Sequence, residues 1–271
     1  MNYIFCHLGS LPPHLFDSIQ SIRNTEEDVN IVLVTDNDAN IDGVKILKVT
    51  DIWSDQTRSA MNTPLFSTEN DPLWRTSIFR IFLVRDALKN LGLDSCYHFD
   101  SDVLLFQPSN IFSHLIEDFD GMYITPCNSD EVVFGFSRIG GLEKQDQLCD
   151  ILHELLFDEI KRQKYFVSMP NEMQLLSGIS KERPDLIKLL QTLPNESGII
   201  FDPSSYGQYF GGTNQGHGPG WYGTHHDIGL EIHKGTIKPV MIDKKPFVLY
   251  NDEYYPIVNL HIHSKNTSVF L

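Results

Sequence analysis

Residues Val29 to Val34 read VNIVLV and stop at the polar group Thr35-Asp36-Asn37-Asp38. A strand apolar at nearly every position has no face to give to water, so it must be covered on both sides. Strands of that kind belong to parallel sheets layered between helices. The flanking sequence agrees. Asn2 to Cys6 is a second apolar run that ends at Gly9 and Pro12-Pro13. Leu15, Phe16, Ile19 and Ile22 recur at helical spacing, and Val44 to Val49 is a third run. The predicted class is α/β, with a mixed, mainly parallel sheet flanked by helices.

Further along, Leu73 to Leu91 carries a broad apolar face and closes at Gly92, which predicts a long helix. Ser95 to Phe99 reads as a strand, followed at once by Asp100-Ser101-Asp102 and a second apolar step, Val103 to Phe106. Leu142 to Gln163 reads as one amphipathic helix, and Asn171 to Gly178 and Pro184 to Leu193 as shorter ones. From Gly198 onward glycine, proline and aromatics become dense. Tyr255 to His263 alternates as a strand, with Asn259, His261 and His263 on one polar face and Ile257 among the apolar positions.

Charge narrows the partners. The 271-residue chain carries 21 basic and 36 acidic residues, a net −15. Duplex nucleic acid and anionic lipid both need a basic footprint, so neither is expected as the main partner. Phosphate-bearing ligands stay open, because carboxylates can hold them through a metal ion. Cys6, Cys96, Cys127 and Cys149 form no C-x-x-C pair and read as free thiols of a reducing compartment. No apolar run is long enough to span a bilayer and the N-terminus lacks a basic leader. The expected location is cytoplasmic, with any membrane contact peripheral.

The chemistry centres on Asp100 and Asp102. Alternation puts both carboxylates on one side of an extended chain, just past the carboxyl end of a buried strand, where open α/β sheets bind ligands. Two carboxylates so placed repel unless a cation lies near them, and hard divalent ions such as Mn²⁺ or Mg²⁺ suit oxygen donors. The alternative is a pair of surface aspartates capping a turn. On the C-terminal strand, His261 or His263 can complete a coordination set and Lys265 can neutralise phosphate oxygens; incidental histidines on a wet edge strand would look the same. Arg80 interrupts an apolar helix face, so it either pairs with Asp100 or a phosphate or reaches solvent. Asp36 sits in a loop suited to a ribose or base, or to an ordinary Asx turn. Glu172 opens a short helix, either for the helix dipole or aimed at an acceptor hydroxyl. In FDPSSYGQYFGG and beyond, Gln208, Gly211, Gly212 and Trp221 are candidate substrate contacts, with Tyr206, Tyr209 and Tyr222 as stacking surfaces or core.

Taken in order, the R-x-x-x-x-R helix from Arg75 to Arg80, YHFDSDVLLF, NEMQLL and NLHIHSK resemble nucleotide-sugar-dependent glycosyltransferases of the GT-A fold, in particular bacterial and viral polysaccharide enzymes. HIHSK resembles the histidine and lysine that close over metal and diphosphate in the lipopolysaccharide galactosyltransferase and glycogenin group. Two departures stand out. The H-x-x-G-x-x-K pattern of that group is shortened here, which leaves open whether His261 or His263 is the ligand. Its D-Q pair is replaced by Glu172-Met173, so a retaining outcome does not carry over.

The resemblance implies one domain over 1–271. Residues 1–126 would bind the nucleotide sugar, and 127–271 would build the acceptor side and the C-terminal closure. It implies Mn²⁺ or Mg²⁺ on Asp100, Asp102 and a histidine, with Asp36, Arg80, Ser101 and Lys265 on the donor, a uridine diphosphate sugar by family habit. The acceptor would be a glycan or lipid-linked glycan. A base for its hydroxyl would come from Glu172, Asp130, Glu131 or Asp202. The rival readings are a metal-dependent nucleotidyltransferase, disfavoured because Gly9 to Pro13 lacks a basic phosphate loop, and a non-catalytic carbohydrate-binding module, which leaves the α/β half unexplained.

Overall fold

The computed structural model describes residues 1–63, 65, 72–165, 171–213, 223 and 225–271. The chain opens with β1 (Asn2–His7), α1 (Pro13–Thr25), β2 (Asn30–Thr35) and β3 (Val44–Lys48). Short helices α2 (Val49–Ile52) and α3 (Asp55–Met61) lead to the long α4 (Pro72–Leu91), then β4 (Cys96–Phe99), β5 (Val103–Leu105) and α5 (Ser109–Phe112). The middle of the chain supplies β6 (Met122–Pro126), β7 (Val132–Ile139), α6 (Leu142–Phe157), α7 (Glu159–Arg162), α8 (Glu172–Glu182) and β8 (Ile187–Leu189). It finishes with α9 (Tyr206–Tyr209), α10 (Asp227–His233), the meander β9 (Lys238–Ile242), β10 (Lys245–Tyr250) and β11 (Glu253–Pro256), and β12 (Asn259–His261).

The main sheet has the order β3-β2-β1-β4-β7-β6-β8. β3, β2, β1 and β4 are parallel to one another, β7 is antiparallel to β4 and β6, and β8 is parallel to β6. This is the predicted mixed, mainly parallel sheet. Both of its faces are buried. Ile4, Val32 and Val34 pack against α4, α6 and α8, whereas Tyr3, Phe5, Ile31 and Leu33 pack on the opposite side with Leu15, Ile19 and Ile22 of α1. The period-2 alternation of β1 and β2 thus feeds two cores. A third cluster joins β12 and β5 to β10 through Leu104, Leu260, Ile262 and Val248.

The long helix ends as its sequence foretells. Gly92 takes φ +64, and the pair Leu93 N–H to Leu88 C=O and Gly92 N–H to Lys89 C=O closes a Schellman motif. Elsewhere the expected boundaries give way. Pro184 to Leu193 is no helix, because β8 runs through it as an edge strand along β6. Leu186, Ile187 and Leu190 are buried, and their i, i+1, i+4 spacing imitates an amphipathic helix. Leu142 to Gln163 breaks at Asp158, whose carboxylate caps the new start by accepting the Lys161 N–H at 3.0 Å. The helix at Asn171 continues past Gly178 to Glu182. Tyr255 to His263 divides between two sheets, with β11 ending at Pro256 and β12 pairing with β5. All four cysteines are free thiols. Among the described residues no helix is long and apolar enough to cross a membrane.

Candidate active site

β1, β2 and β4 end side by side at their carboxyl edge, and the chain leaves β4 directly into Asp100-Ser101-Asp102. A tight turn holds these residues: Val103 N–H donates to Asp100 C=O at 3.1 Å, and Asp100 N–H to Gly135 C=O on β7 at 2.7 Å. β12 then pairs antiparallel with β5, placing His261 opposite Val103. That register brings His261 Nε2 to 3.0 Å from Asp102 Oδ2. One donor atom each from Asp100, Asp102 and His261 lie within 4.8 Å of one another. Gly135 makes room for them, since a Cβ there would sit 3.0 Å from His261 Nδ1 and 3.2 Å from Asp100 Oδ2.

Asp102 is buried, Asp100 is half-buried, and each has a cation. Arg80 from α4 donates to Asp100 and reaches Glu172 Oε1 at 3.4 Å. Lys265 donates to Asp102. Burial alone would push both aspartates up. Arg80 and His98 beside Asp100, and His261 and Lys265 beside Asp102, outweigh it and hold both well below the usual carboxylate range. Burial would likewise depress His261, but Asp102 and Asp100 raise it. Its neighbour His263 stacks on it at 4.7 Å between ring centroids. Burial and the charge of His261 lower His263 to about 4, and its Nε2 lies 2.7 Å from the Ser204 hydroxyl. The structure therefore gives the two histidines different surroundings: His261 joins the carboxylates and His263 joins Ser204.

A cleft of about 750 Å³ opens over this group. Its walls include His7, Arg80, Ser101, Glu131, Glu172, Ser204, His225 and Lys265. Glu172 is the first residue of α8 and only 4 % exposed. Its Oε2 makes no hydrogen bond among the described residues. Burial raises its pKa to about 7, more than Arg80 lowers it. A carboxyl poised near neutrality in a cleft is a candidate proton carrier. Two cleft residues, Ser204 (φ +67) and Lys265 (φ +60), adopt the left-handed backbone region. Such strain in non-glycine residues concentrates at functional sites.

Most of the other described sequence candidates lie away from the cleft. Asp202 is not positioned as a base. It is 1 % exposed, and its carboxylate accepts the backbone N–H groups of Ser205, Tyr206, Gly207 and His261 at 2.6, 2.7, 3.2 and 2.9 Å. It pins β12 under the site. Asp130 is on the surface, paired with Lys181 at 3.2 Å, while its neighbour Glu131 lines the cleft. Gln208 is buried and donates to Ser204 C=O at 3.1 Å. Gly211 and Gly212 do not line the cleft. A Cβ on Gly212 would meet Gly207 C=O at 2.6 Å, so the pair shapes the turn that packs beneath Ile262. Asp36 is exposed beside the loop after β1, accepting the Gly9 N–H at 2.9 Å. Trp221 lies outside the described residues.

Sequence reasoning missed His98, Ser204, His225 and His226. His98 is fully buried on β4. Its Nδ1 lies 3.0 Å from Ile4 C=O, which can only accept, so Nδ1 is the donor and Nε2 faces Asp100. Its place two residues before Asp100 on a strand was the available signal. His226 approaches the Ser205 hydroxyl, and burial lowers its pKa to about 4.

No protein-family profile and no curated protein sequence matches the chain. The solved structures it resembles include glycosyltransferases. Mouse xyloside xylosyltransferase 1, in its apo form, aligns over 70% of this chain and 86% of its own, with 10% identity and a TM-score of 0.46. The galactosyltransferase LgtC, in complex with donor and acceptor sugar analogues, aligns over 76% and 77% with 14% identity and a TM-score of 0.49. The glycosyltransferase GlyE of Streptococcus pneumoniae aligns over 70% and 44% with 14% identity and a TM-score of 0.44. At these identities and TM-scores the likeness carries no chemistry, which has to be read from the cleft itself.

Proposed function

We propose that the protein is a metal-dependent glycosyltransferase that moves a sugar from a nucleoside-diphosphate sugar to a hydroxyl of a glycan or glycolipid acceptor. The observation that carries this reading is the convergence of Asp100, Asp102 and His261 within 4.8 Å on the floor of a cleft that Glu172 also lines. Two hard carboxylate oxygens and one imidazole fit Mn²⁺ or Mg²⁺, and the space that Gly135 leaves beside them is consistent with that fit. When bound, the ion supplies charge neutralisation and Lewis-acid assistance to a departing diphosphate.

The chain's own groups supply the rest. The carboxyl edge of β1, β2 and β4, with the loop carrying Asp36, is a fitting seat for the nucleotide. Residues 1–126 accordingly form the donor half, with a uridine base as the first candidate, and 127–271 the acceptor half. Ser101 and Arg80 line the donor end. Arg80 and Lys265 add positive charge where the leaving group becomes more negative. Glu172, held near neutrality, accepts the proton of an acceptor hydroxyl.

The test is release of nucleoside diphosphate from a panel of nucleotide sugars with Mn²⁺, with and without added glycans. Slow release from one donor, accelerated by an acceptor, is expected. Binding of free sugars with no turnover of any donor would instead mark a carbohydrate-binding module.

A further inference from the structure

Asp102 Oδ2 is claimed twice. His261 Nε2 approaches it at 3.0 Å, and the Lys265 ammonium donates to the same oxygen. The two partners differ in freedom. His261 is fixed by β12 and by the bond from its own N–H to Asp202. The Lys265 side chain is 49% exposed, against 4% for Asp102. Its backbone is held at φ +60 by a tight turn in which Lys265 N–H donates to Ile262 C=O at 3.0 Å. The turn aims a flexible, half-exposed ammonium at a rigid buried carboxylate.

A divalent ion held by Asp102 and His261 would compete with Lys265 for that oxygen, and its charge would repel the ammonium at close range. We infer that Lys265 is a placeholder for the cation: it neutralises Asp102 before the ion binds and has to leave that oxygen when the ion arrives. This rests on the metal-site reading above and adds a competitor to it. A buried carboxylate without a counter-charge is strongly destabilising, so the placeholder supports the fold until the ion is bound. Its displacement also has a consequence. The ammonium moves on a four-carbon stem and is a compact point charge suited to phosphate. A diphosphate in the cleft gives it a new partner, so ion and diphosphate help each other bind, and the help is reciprocal.

The test is Mn²⁺ titration of metal-free protein, reading unbound Mn²⁺ by electron paramagnetic resonance, with and without UDP. Lys265→Met, which keeps the stem and loses the charge, is expected to bind Mn²⁺ alone at least about tenfold tighter than wild type, within the 5–150-fold range of ordinary couplings. Lys265→Arg is expected to stay close to wild type. UDP should tighten Mn²⁺ binding more in wild type than in Lys265→Met, where only the ion's own attraction for the diphosphate remains. In thermal unfolding, metal-free Lys265→Met should melt below wild type and recover on adding Mn²⁺. Lys265→Asn, which tolerates the left-handed backbone, repeats the measurement if the Met variant does not fold. Equal or weaker Mn²⁺ affinity in the charge-free variants overturns the placeholder role while leaving the metal site standing. Absence of Mn²⁺ binding in every protein, with or without UDP, overturns both.

Discussion

His261 Nε2 lies 3.0 Å from Asp102 Oδ2 although 159 positions separate the two residues. The antiparallel register of β12 on β5 makes the contact, and Asp202 locks it from below through the His261 N–H. The end of the chain is thereby built into the turn that follows β4, and the candidate metal set exists only in the folded protein.

Asp102→Asn removes the oxygen charge shared by His261 and Lys265. Metal-dependent nucleotide binding is expected to fall by more than about 100-fold, beyond the loss typical of residues that only support a ligand. The fold should survive, because amide and carboxylate are nearly isosteric. Circular dichroism and Mn²⁺-dependent nucleotide titration check the two halves of the statement.

His261→Ala and His263→Ala are expected to differ. The first removes a donor atom from the Asp100–Asp102 group. The second removes a ring that bonds to Ser204 and stacks on His261. Mn²⁺ binding should be lost in the first and retained, with modest weakening, in the second. Equal and mild effects would remove His261 from the metal set.

Glu172 makes stability depend on pH with a definite sign. Its pKa in the folded chain is about 7, against an ordinary 4.5, because burial disfavours the charged form. A raised carboxyl pKa contributes stability that is fully present below pH 4.5 and lost as pH climbs through 7. Glu172→Gln does not titrate. Its stability relative to wild type should therefore increase by about 3 kcal/mol between pH 4.5 and pH 8, the product of the shift and about 1.4 kcal/mol per unit. Urea unfolding across that range measures it. A constant difference would show that Glu172 titrates normally.

Asp202→Ala and Asp130→Asn separate a structural acid from a surface one. Asp202 serves four backbone N–H groups in the core, and orphaning them is expected to lower stability by about 3 kcal/mol or more. Asp130 is exposed beside Lys181, and its substitution should leave melting temperature and sugar transfer unchanged.

Much of this architecture is legible in the sequence because strand and helix periods are local. VNIVLV, the α4 face and the Leu91-Gly92 ending each encode their own structure. The charged residues gathered in the cleft stand out in the sequence for a related reason: Asp100, Asp102, Glu172, His261 and Lys265 lie at or just beyond the ends of strands and helices, and Arg80 interrupts an apolar helix face. What was not legible depended on partners distant in the chain. β8 needs β6 to become a strand, and the buried Leu186, Ile187 and Leu190 in and beside it otherwise satisfy helical spacing. Asp202 looks like any free acid until its backbone donors fold around it. Which histidine faces the carboxylates follows from the pairing of Val103 with His261, a register no local pattern specifies.

The most direct test of the central claim is thermal unfolding of the wild-type protein with UDP, GDP, ADP and CDP, each with and without Mn²⁺. A ligand that binds only the folded state raises its stability with the logarithm of concentration over dissociation constant. The account predicts a rise in melting temperature that requires Mn²⁺ and one nucleotide together, with UDP the first candidate, and that disappears in Asp102→Asn. No shift with any combination, or an equal shift in Asp102→Asn, would contradict it.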